Sequence, residues 1–396
     1  MTKPTRIEPN QAHQGAYAII SAGEGGGPYM TDSNSTIDNN HPIARITLAW
    51  YDIHRRELPW RDNPNPYWVL LSEYMLQQTQ VKTVLPYFYR FINQYPSIQS
   101  LAAASDDDVM ALWAGLGYYS RARNLLKAVR MIQTAGSFPS TVKELQALPG
   151  VGPYIAGAIG SIALGLDVPA VDGNHHRVLS RLFRDKGDRN AMWTIARQVL
   201  PAGRAGDFNQ ALMDLGAQIC TSKNPKCHRC PLVNNCMAHM HSDISEYPVK
   251  PPKKKKSRRF LQSFLWIRGN KILMCKRPQK GLFGGLYEPP TFFIEPEDST
   301  DVDSFWFSKS KVHLNEFLKL GTIKHVLTHM NLEVTVFTID CDGELDSISD
   351  YVDVGWYDLN DLSNIGLSTL AQKTVSLRNE DIQLSLIDSS SGFGNK

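Results

Sequence analysis

Residues 145–164 read LQALPGVGPYIAGAIGSIAL. An apolar stretch runs up to Pro149, Gly150 and Gly152 follow at once, and a second apolar run begins at about Tyr154. That order predicts a first helix ending at Pro149 and a second helix after a glycine-rich hairpin. Thr141 and Glu144 stand at capping-box spacing before the first helix, where each side chain can bond to the other's backbone N–H. The two glycines permit a close backbone approach, and the helix N-terminus behind them presents unpaired amides. Such amides hold a phosphate without reading sequence, so Gly150 and Gly152 are candidates for contacting a nucleic-acid backbone. The alternative is a plain turn between two helices with no ligand.

Outward from the hairpin the pattern stays helical from Ile43 to about His241, with apolar positions three and four apart over 46–51, 69–76, 101–113 and 195–200. Residues 41–245 therefore read as an all-helical domain. Residues 1–40 are rich in Gly, Ser, Thr, Asn and Gln and lack apolar periodicity, which predicts a disordered tail. EYPVKPPKKKKSRRF, 246–260, mixes prolines with seven Lys or Arg residues, so 246–262 is expected to be an extended, charged linker. It is a solvated tether, a phosphate-tracking segment or a nuclear signal. Beyond it, 264–275 reads as two strands about a Gly269–Asn270 turn, and Leu332, Val334, Val336 and Thr338 alternate in the strand period. A smaller α+β domain is expected over 263–387, with a short tail at 388–396.

The chain has 396 residues, 42% hydrophobic and 20% charged, an ordinary globular composition that excludes wholesale disorder. A net charge of +3 suits a polyanionic partner but is too weak to establish one. The six cysteines are too sparse for a disulfide scaffold. There is no apolar run of about 18 residues for a membrane span and no signal peptide. A soluble, cytoplasmic protein with no membrane association is expected. Cys220, Cys227, Cys230 and Cys236 are spaced C-x6-C-x2-C-x5-C, a loop able to bring four thiolates to one metal centre. Spacing leaves tetrahedral zinc and an iron–sulfur cubane both open. Lys223, Lys226, His228 and Arg229 make this loop basic. Cys275 and Cys341 read as buried, inert thiols.

LPGVGPY followed by Asp172 in VDGNHHRVLSR resembles the helix-hairpin-helix DNA glycosylase superfamily, and within it the MutY adenine glycosylases. LPWR at 58–61, LSEYMLQQTQV at 71–81, GLGYYSRARN at 115–124 and FNQALMDLGAQIC at 208–220 extend the resemblance over essentially the whole first domain. RPQKGLFGGLYEPP at 277–290 resembles the opening of the family's second, Nudix-like domain. The resemblance implies a monomeric, monofunctional enzyme that hydrolyses adenine from duplex DNA where it faces 8-oxoguanine or guanine. It also implies a 4Fe-4S cluster on the four clustered cysteines. The clustered glutamates of a Nudix hydrolase are missing, so pyrophosphate hydrolysis is not expected.

Cleaving a purine N-glycosidic bond calls for an acid at the leaving base and an anion beside the sugar as it becomes oxocarbenium-like. Glu73 lies in the apolar run LLSEYML, where desolvation would keep it protonated. Asp172 precedes a new helix, whose amides favour the ionised form. Taken singly, each is equally a surface charge or a helix cap. The resemblance implies that Glu73 protonates adenine and later handles water, that Asp172 stabilises the cationic sugar, and that Tyr154 and Asn174 support them. Lyase relatives such as endonuclease III carry a lysine where this chain has Tyr154. A phenol cannot form an imine, so hydrolysis is expected, and His176 offers no substitute amine.

By the same resemblance Gln78, Thr79, Leu116 and Tyr118 enter the DNA helix and meet the lesion strand, core packing being the alternative for Tyr118 and Tyr119. Arg56, Trp60 and Gln210 are candidates for the adenine pocket. Leu327, Thr328 and His329 fall where the family carries a Phe-Ser-His hairpin tip. Thr328 and His329 keep a hydroxyl and an imidazole for the lesion, whereas Leu327 removes the stacking ring. A zinc pair of His325 and His329 would need a helix, and the alternation that follows favours a strand. The rivals are an endonuclease III-like pyrimidine-lesion glycosylase with lyase activity and a silent lesion-binding module.

Overall fold

Local sequence chemistry builds the helices around the hairpin. In the computed structural model, which describes residues 41–249, 255–295, 301–341, 345 and 347–378, Thr141 and Glu144 close the expected capping box at the head of the helix Val142–Gln146. That helix stops at Gln146 rather than Pro149, and the next runs Pro153–Ala163. Gly150 joins them at φ +81°, a left-handed conformation that glycine adopts without strain. The expected tails, the centre of the lysine-rich linker and the end of the second domain lie outside the described residues.

The helical domain begins at Pro42–His54 and runs to Met237–Met240. The periodic stretch over 101–113 is two helices, Ile98–Ala102 and Asp106–Trp113, because the Ser105 hydroxyl accepts the Asp108 N–H and starts a new one. The interior divides into two apolar clusters. One gathers Leu70, Tyr74, Phe88, Trp113, Leu125 and Ile155. The other gathers Ile43, Val178, Leu179, Phe208, Leu212 and Leu232 and reaches the cysteine loop. The helix Pro66–Leu76 belongs to the first cluster and the helix Gly173–Phe183 to the second, so the expected catalytic carboxyls come from opposite sides of a seam.

The second domain is a mixed sheet with apolar clusters on both faces. Its strands are β1 (Ser257–Arg268), β2 (Lys271–Lys276), β3 (Tyr287–Glu288), β4 (Thr291–Ile294), β5 (Glu316–Val326), β6 (Met330–Asp340) and β7 (Asp353–Asp358). The order β3-β2-β1-β6-β5 is antiparallel except for the β1–β6 pair, with β4 on β1 and β7 on β2. Leu332, Val334 and Val336 face one cluster as their alternation predicts, while Phe337 and Ile339 face the other. Strand β1 takes up 257–262, which composition alone assigns to the linker, because each residue there stands in parallel register with a residue of β6.

Several bonds fasten the two domains. Lys276 Nζ meets Asp107 Oδ1 at 2.5 Å, Tyr119 donates to the Leu367 carbonyl at 3.0 Å, and Arg123 donates to the Gly284 carbonyl. The β5–β6 hairpin tip, 327–329, comes to rest on the helical domain, where Tyr118 Oη and Thr328 Oγ1 are 2.7 Å apart. Among the described residues no helix is long and apolar enough to cross a membrane.

Candidate active site

Asn65 caps the helix Pro66–Leu76 by accepting the Trp68 N–H at 2.9 Å, with Pro66 in the first turn. From Val69 to Met75 every side chain is buried, so Glu73 sits in a largely apolar stretch of helix. Glu73 is 4% exposed, and its Oε2 has no hydrogen-bond partner among the described residues. Burial pushes its pKa up to about 7, against a hydrogen bond from the Tyr154 hydroxyl and with the Asp172 charge adding to the rise. Burial likewise holds the Tyr154 hydroxyl in its protonated form, well above the usual phenol range.

Asp172 is the N-cap of the helix Gly173–Phe183. Burial works against its charge, but bonds from His175 and Asn174 outweigh it and hold the carboxyl below the usual range. Oδ1 accepts the backbone N–H groups of Asn174 and His175 at 2.8 and 2.7 Å, and the Asn174 amide donates to Oδ2 at 2.8 Å. Two carboxyls are thus pushed to opposite protonation states, with the Tyr154 ring electrostatically coupled to both.

The exposed loops beside this pair hold the DNA-facing candidates. Gln78 is exposed at φ +57° just past its helix, with Thr79 half-buried beside it. Tyr118 is 45% exposed, whereas Leu116 and Tyr119 pack into the core. Gly152 lies exposed at the N-cap of Pro153–Ala163, with no side chain closing it. Among the adenine-pocket candidates, Arg56 grips the fully buried Asp214 at 2.5 Å, alongside Arg61 at 2.7 Å. Trp60 packs edge-on to Phe88 in the core, and Gln210 is buried, donating to the Gly206 carbonyl. Thr328 and His329 are exposed on the hairpin tip, and Leu327 packs partly against the sheet. His325 lies in β5 beside the Phe283 ring, separated from His329 by the turn.

Cys220, Cys227, Cys230 and Cys236 carry free thiols and line one cavity of about 30 Å³ together with Ile219 and Arg181. Arg181 Nη1 approaches the Cys220 sulfur at 3.4 Å. Burial raises the Cys230 thiol pKa to about 12, so four thiolates here need a cationic partner. Among the described residues no three His, Cys, Asp or Glu side chains converge to hold a metal ion. Lys223, Lys226, His228 and Arg229 are exposed around the loop.

Residues 71–199 match the HhH-GPD superfamily of base excision DNA repair proteins, and residues 263–377 match the NUDIX domain. An adenine DNA glycosylase of Buchnera aphidicola subsp. Schizaphis graminum is 34% identical over 349 residues, 85% of this chain and 98% of that protein. The Homo sapiens adenine DNA glycosylase is 32% identical over 406 residues, 84% of this chain and 74% of that protein. This chain belongs to the adenine DNA glycosylase family. A solved thermostable thymine-DNA glycosylase is 28% identical and aligns with a TM-score of 0.47 over 50% of this chain and 96% of that one.

Family membership makes the chain a base-excision repair enzyme, and the structure adds residues of this glycosylase that sequence reading passed over. Buried Arg121 donates to the carbonyls of Tyr74, Met75 and Gln77 on one side and of Leu116 and Gly117 on the other, tying the Gln78 loop to the Tyr118 loop. Arg177 donates to Asn174 Oδ1 at 2.9 Å and to the Cys220 carbonyl at 2.7 Å. His175 bonds Asp172 through its ring. All three lie inside the quoted motifs; the partners of His175 and Arg177 at Asp172 and Asn174 are three positions away, whereas those of Arg121 at Tyr74, Met75 and Gln77 and of Arg177 at Cys220 are more than forty.

Proposed function

We propose that this glycosylase hydrolyses the N-glycosidic bond of adenine mispaired with 8-oxoguanine or guanine in duplex DNA. The observation that carries the reading is the electrostatically coupled pair of a buried Glu73, protonated up to about pH 7, and an ionised Asp172. The target nucleotide leaves the stack, at a cost of about a few kcal/mol, and enters between them. Glu73, whose Oε2 has no partner of its own, gives its proton to a ring nitrogen of adenine. The bond from the sugar to N9 then breaks with its electron pair leaving on the neutralised base, and the Asp172 carboxylate stabilises the cationic sugar. Water adds to the sugar carbon and returns a proton to Glu73. Tyr154 holds Glu73 in place and provides no amine for a covalent route.

Gly150, Gly152 and the amides behind them support phosphate contact. Gln78, Thr79 and Tyr118 are placed to fill the gap left by the base, and Thr328 and His329 to contact the opposing lesion. Leu116, buried, and Trp60, in the core, would act by packing behind those loops. Four cysteines lining one cavity in a chain of this family support a 4Fe-4S cluster on Cys220, Cys227, Cys230 and Cys236. That cluster would supply cross-linking of the loop and a rigid basic surface toward DNA. Cysteines clustered as metal ligands rather than spread through a disulfide framework support a reducing compartment, for this enzyme the cytoplasm.

The test is alkali-induced strand scission on duplexes carrying adenine opposite 8-oxoguanine, guanine and thymine. Cleavage at adenine, fastest opposite 8-oxoguanine and slowest opposite thymine, is expected. Equal rates on all three, or cleavage without alkali, would overturn the reading.

A further inference from the structure

One buried ionisable side chain touches the reacting carboxylate and has no part in the excision scheme. His175 is 0% exposed, in the first turn of the helix Gly173–Phe183. Its Nδ1 lies 2.8 Å from Asp172 Oδ1, the oxygen that already accepts the backbone N–H groups of Asn174 and His175. Three donors therefore saturate Oδ1, whereas Oδ2 receives the Asn174 amide alone and keeps acceptor capacity. The carboxylate partner assigns a proton to Nδ1.

The opposite ring nitrogen explains why the contact reads as functional. Nε2 is buried without a hydrogen-bond partner among the described residues. A ring satisfied at one nitrogen only is a poorer core filler than an apolar side chain of similar size, because the other nitrogen has given up water for nothing. Packing therefore does not favour histidine at this position. The backbone caps of Asp172 would persist with any residue at 175, whereas the ring adds a donor fixed from inside the core. A donor held this rigidly sets the carboxylate's rotation, as outer partners do for reacting groups in general.

We propose that His175 is a positioning residue for adenine excision, its ring engaging Asp172 Oδ1 so that Oδ2 is turned toward the sugar as positive charge develops there. The proposal rests on the reading of Asp172 as the stabilising carboxylate.

Single-turnover excision on an adenine:8-oxoguanine duplex, duplex affinity and thermal unfolding would be measured for His175→Val, His175→Asn, Asp172→Asn and the double variant His175→Val/Asp172→Asn. Loss of one charge-assisted bond should slow His175→Val by roughly ten- to a hundredfold with duplex Kd unchanged. The acid limb of its rate should move to higher pH, because the Asp172 carboxyl loses a bond that holds its pKa down. His175→Asn, whose amide nitrogen stands where Nδ1 does, should recover part of the rate. In the Asp172→Asn background His175→Val should cost nothing further. Parental activity in His175→Val, or a loss that multiplies undiminished onto Asp172→Asn, overturns the proposal, as does a loss that tracks falling stability without a moved acid limb. Parental activity in Asp172→Asn itself would instead remove the reading of that carboxylate, a result separable from any outcome at 175.

Discussion

In the proposed excision Glu73 has to carry a proton at neutral pH and Tyr154 has to lack a nucleophilic amine, and both requirements are chemical properties of single residues. Glu73→Gln keeps the shape but removes the transferable proton, so single-turnover excision should fall by roughly 10²–10⁴-fold. The parent rate should itself decline as pH rises through about 7. Stability has the same direction. A carboxyl raised from 4.5 to about 7 contributes fully below its unfolded pKa, and that contribution is lost as pH rises through the folded value. Thermal unfolding at pH 5 and pH 8 should therefore show Glu73→Gln gaining on the parent at the higher pH; an unchanged gap would mean that Glu73 is ionised in the fold. Borohydride reduction during turnover should trap no enzyme–DNA adduct, since Tyr154 cannot form an imine.

At the scale of elements, the setting of Asp172 depends on the close approach of two helices of the second cluster, Gly173–Phe183 and Ala205–Gln218. A methyl added at Gly216, in the helix Ala205–Gln218, would sit 2.5 Å from the Asn174 side chain. Gly216→Ala should cost about 1–3 kcal/mol in denaturant unfolding and slow excision, because Asn174 is pushed off Asp172. Arg121 plays the corresponding part for the DNA-facing loops. Arg121→Met leaves buried carbonyls on both loops unpaired, each worth about 1–3 kcal/mol. Duplex affinity should fall along with stability; a variant that melts early yet binds DNA at parental Kd would show that the loops hold their shape without it.

For the molecule as a whole, the proposed reading of the base opposite adenine needs two domains held in one orientation. Tyr118 and Thr328 meet across the domain boundary, backed by the Lys276–Asp107 and Arg123–Gly284 contacts. Thr328→Val removes the bridging hydroxyl while keeping its volume. Excision opposite guanine should stay near parental, while the preference for 8-oxoguanine narrows by roughly five- to tenfold, about 1–1.4 kcal/mol, the net worth of one hydrogen bond. Equal losses opposite both bases would place Thr328 in general docking. The cysteine loop acts at this scale as well: purified protein should be brown and carry iron, and Cys230→Ser should lower the unfolding temperature and duplex affinity together. Colourless, zinc-loaded protein would refute the cubane.

Helix order, the capped hairpin, the domain boundary near the basic linker and the burial of Glu73 are legible from residue order, because periodicity, capping and an all-apolar surround act within a few positions. The boundary itself shifts to Ser257, since strand pairing with β6 overrides a charged composition. Trp60 and Leu116 illustrate the opposite limit: an aromatic or apolar residue beside a loop can face DNA or the core, and only packing around Phe88 and Trp113 selects the core. The Arg56–Asp214 pair spans 158 positions, and Tyr118 is 210 positions from Thr328. No local signal encodes such partners. Which side chains become neighbours depends on how the helices and the sheet close on one another, so the burial of Glu73 and the N-cap place of Asp172 follow from residue order, while the reach of Arg121 and the hairpin contact with Tyr118 came into view only once the chain was folded.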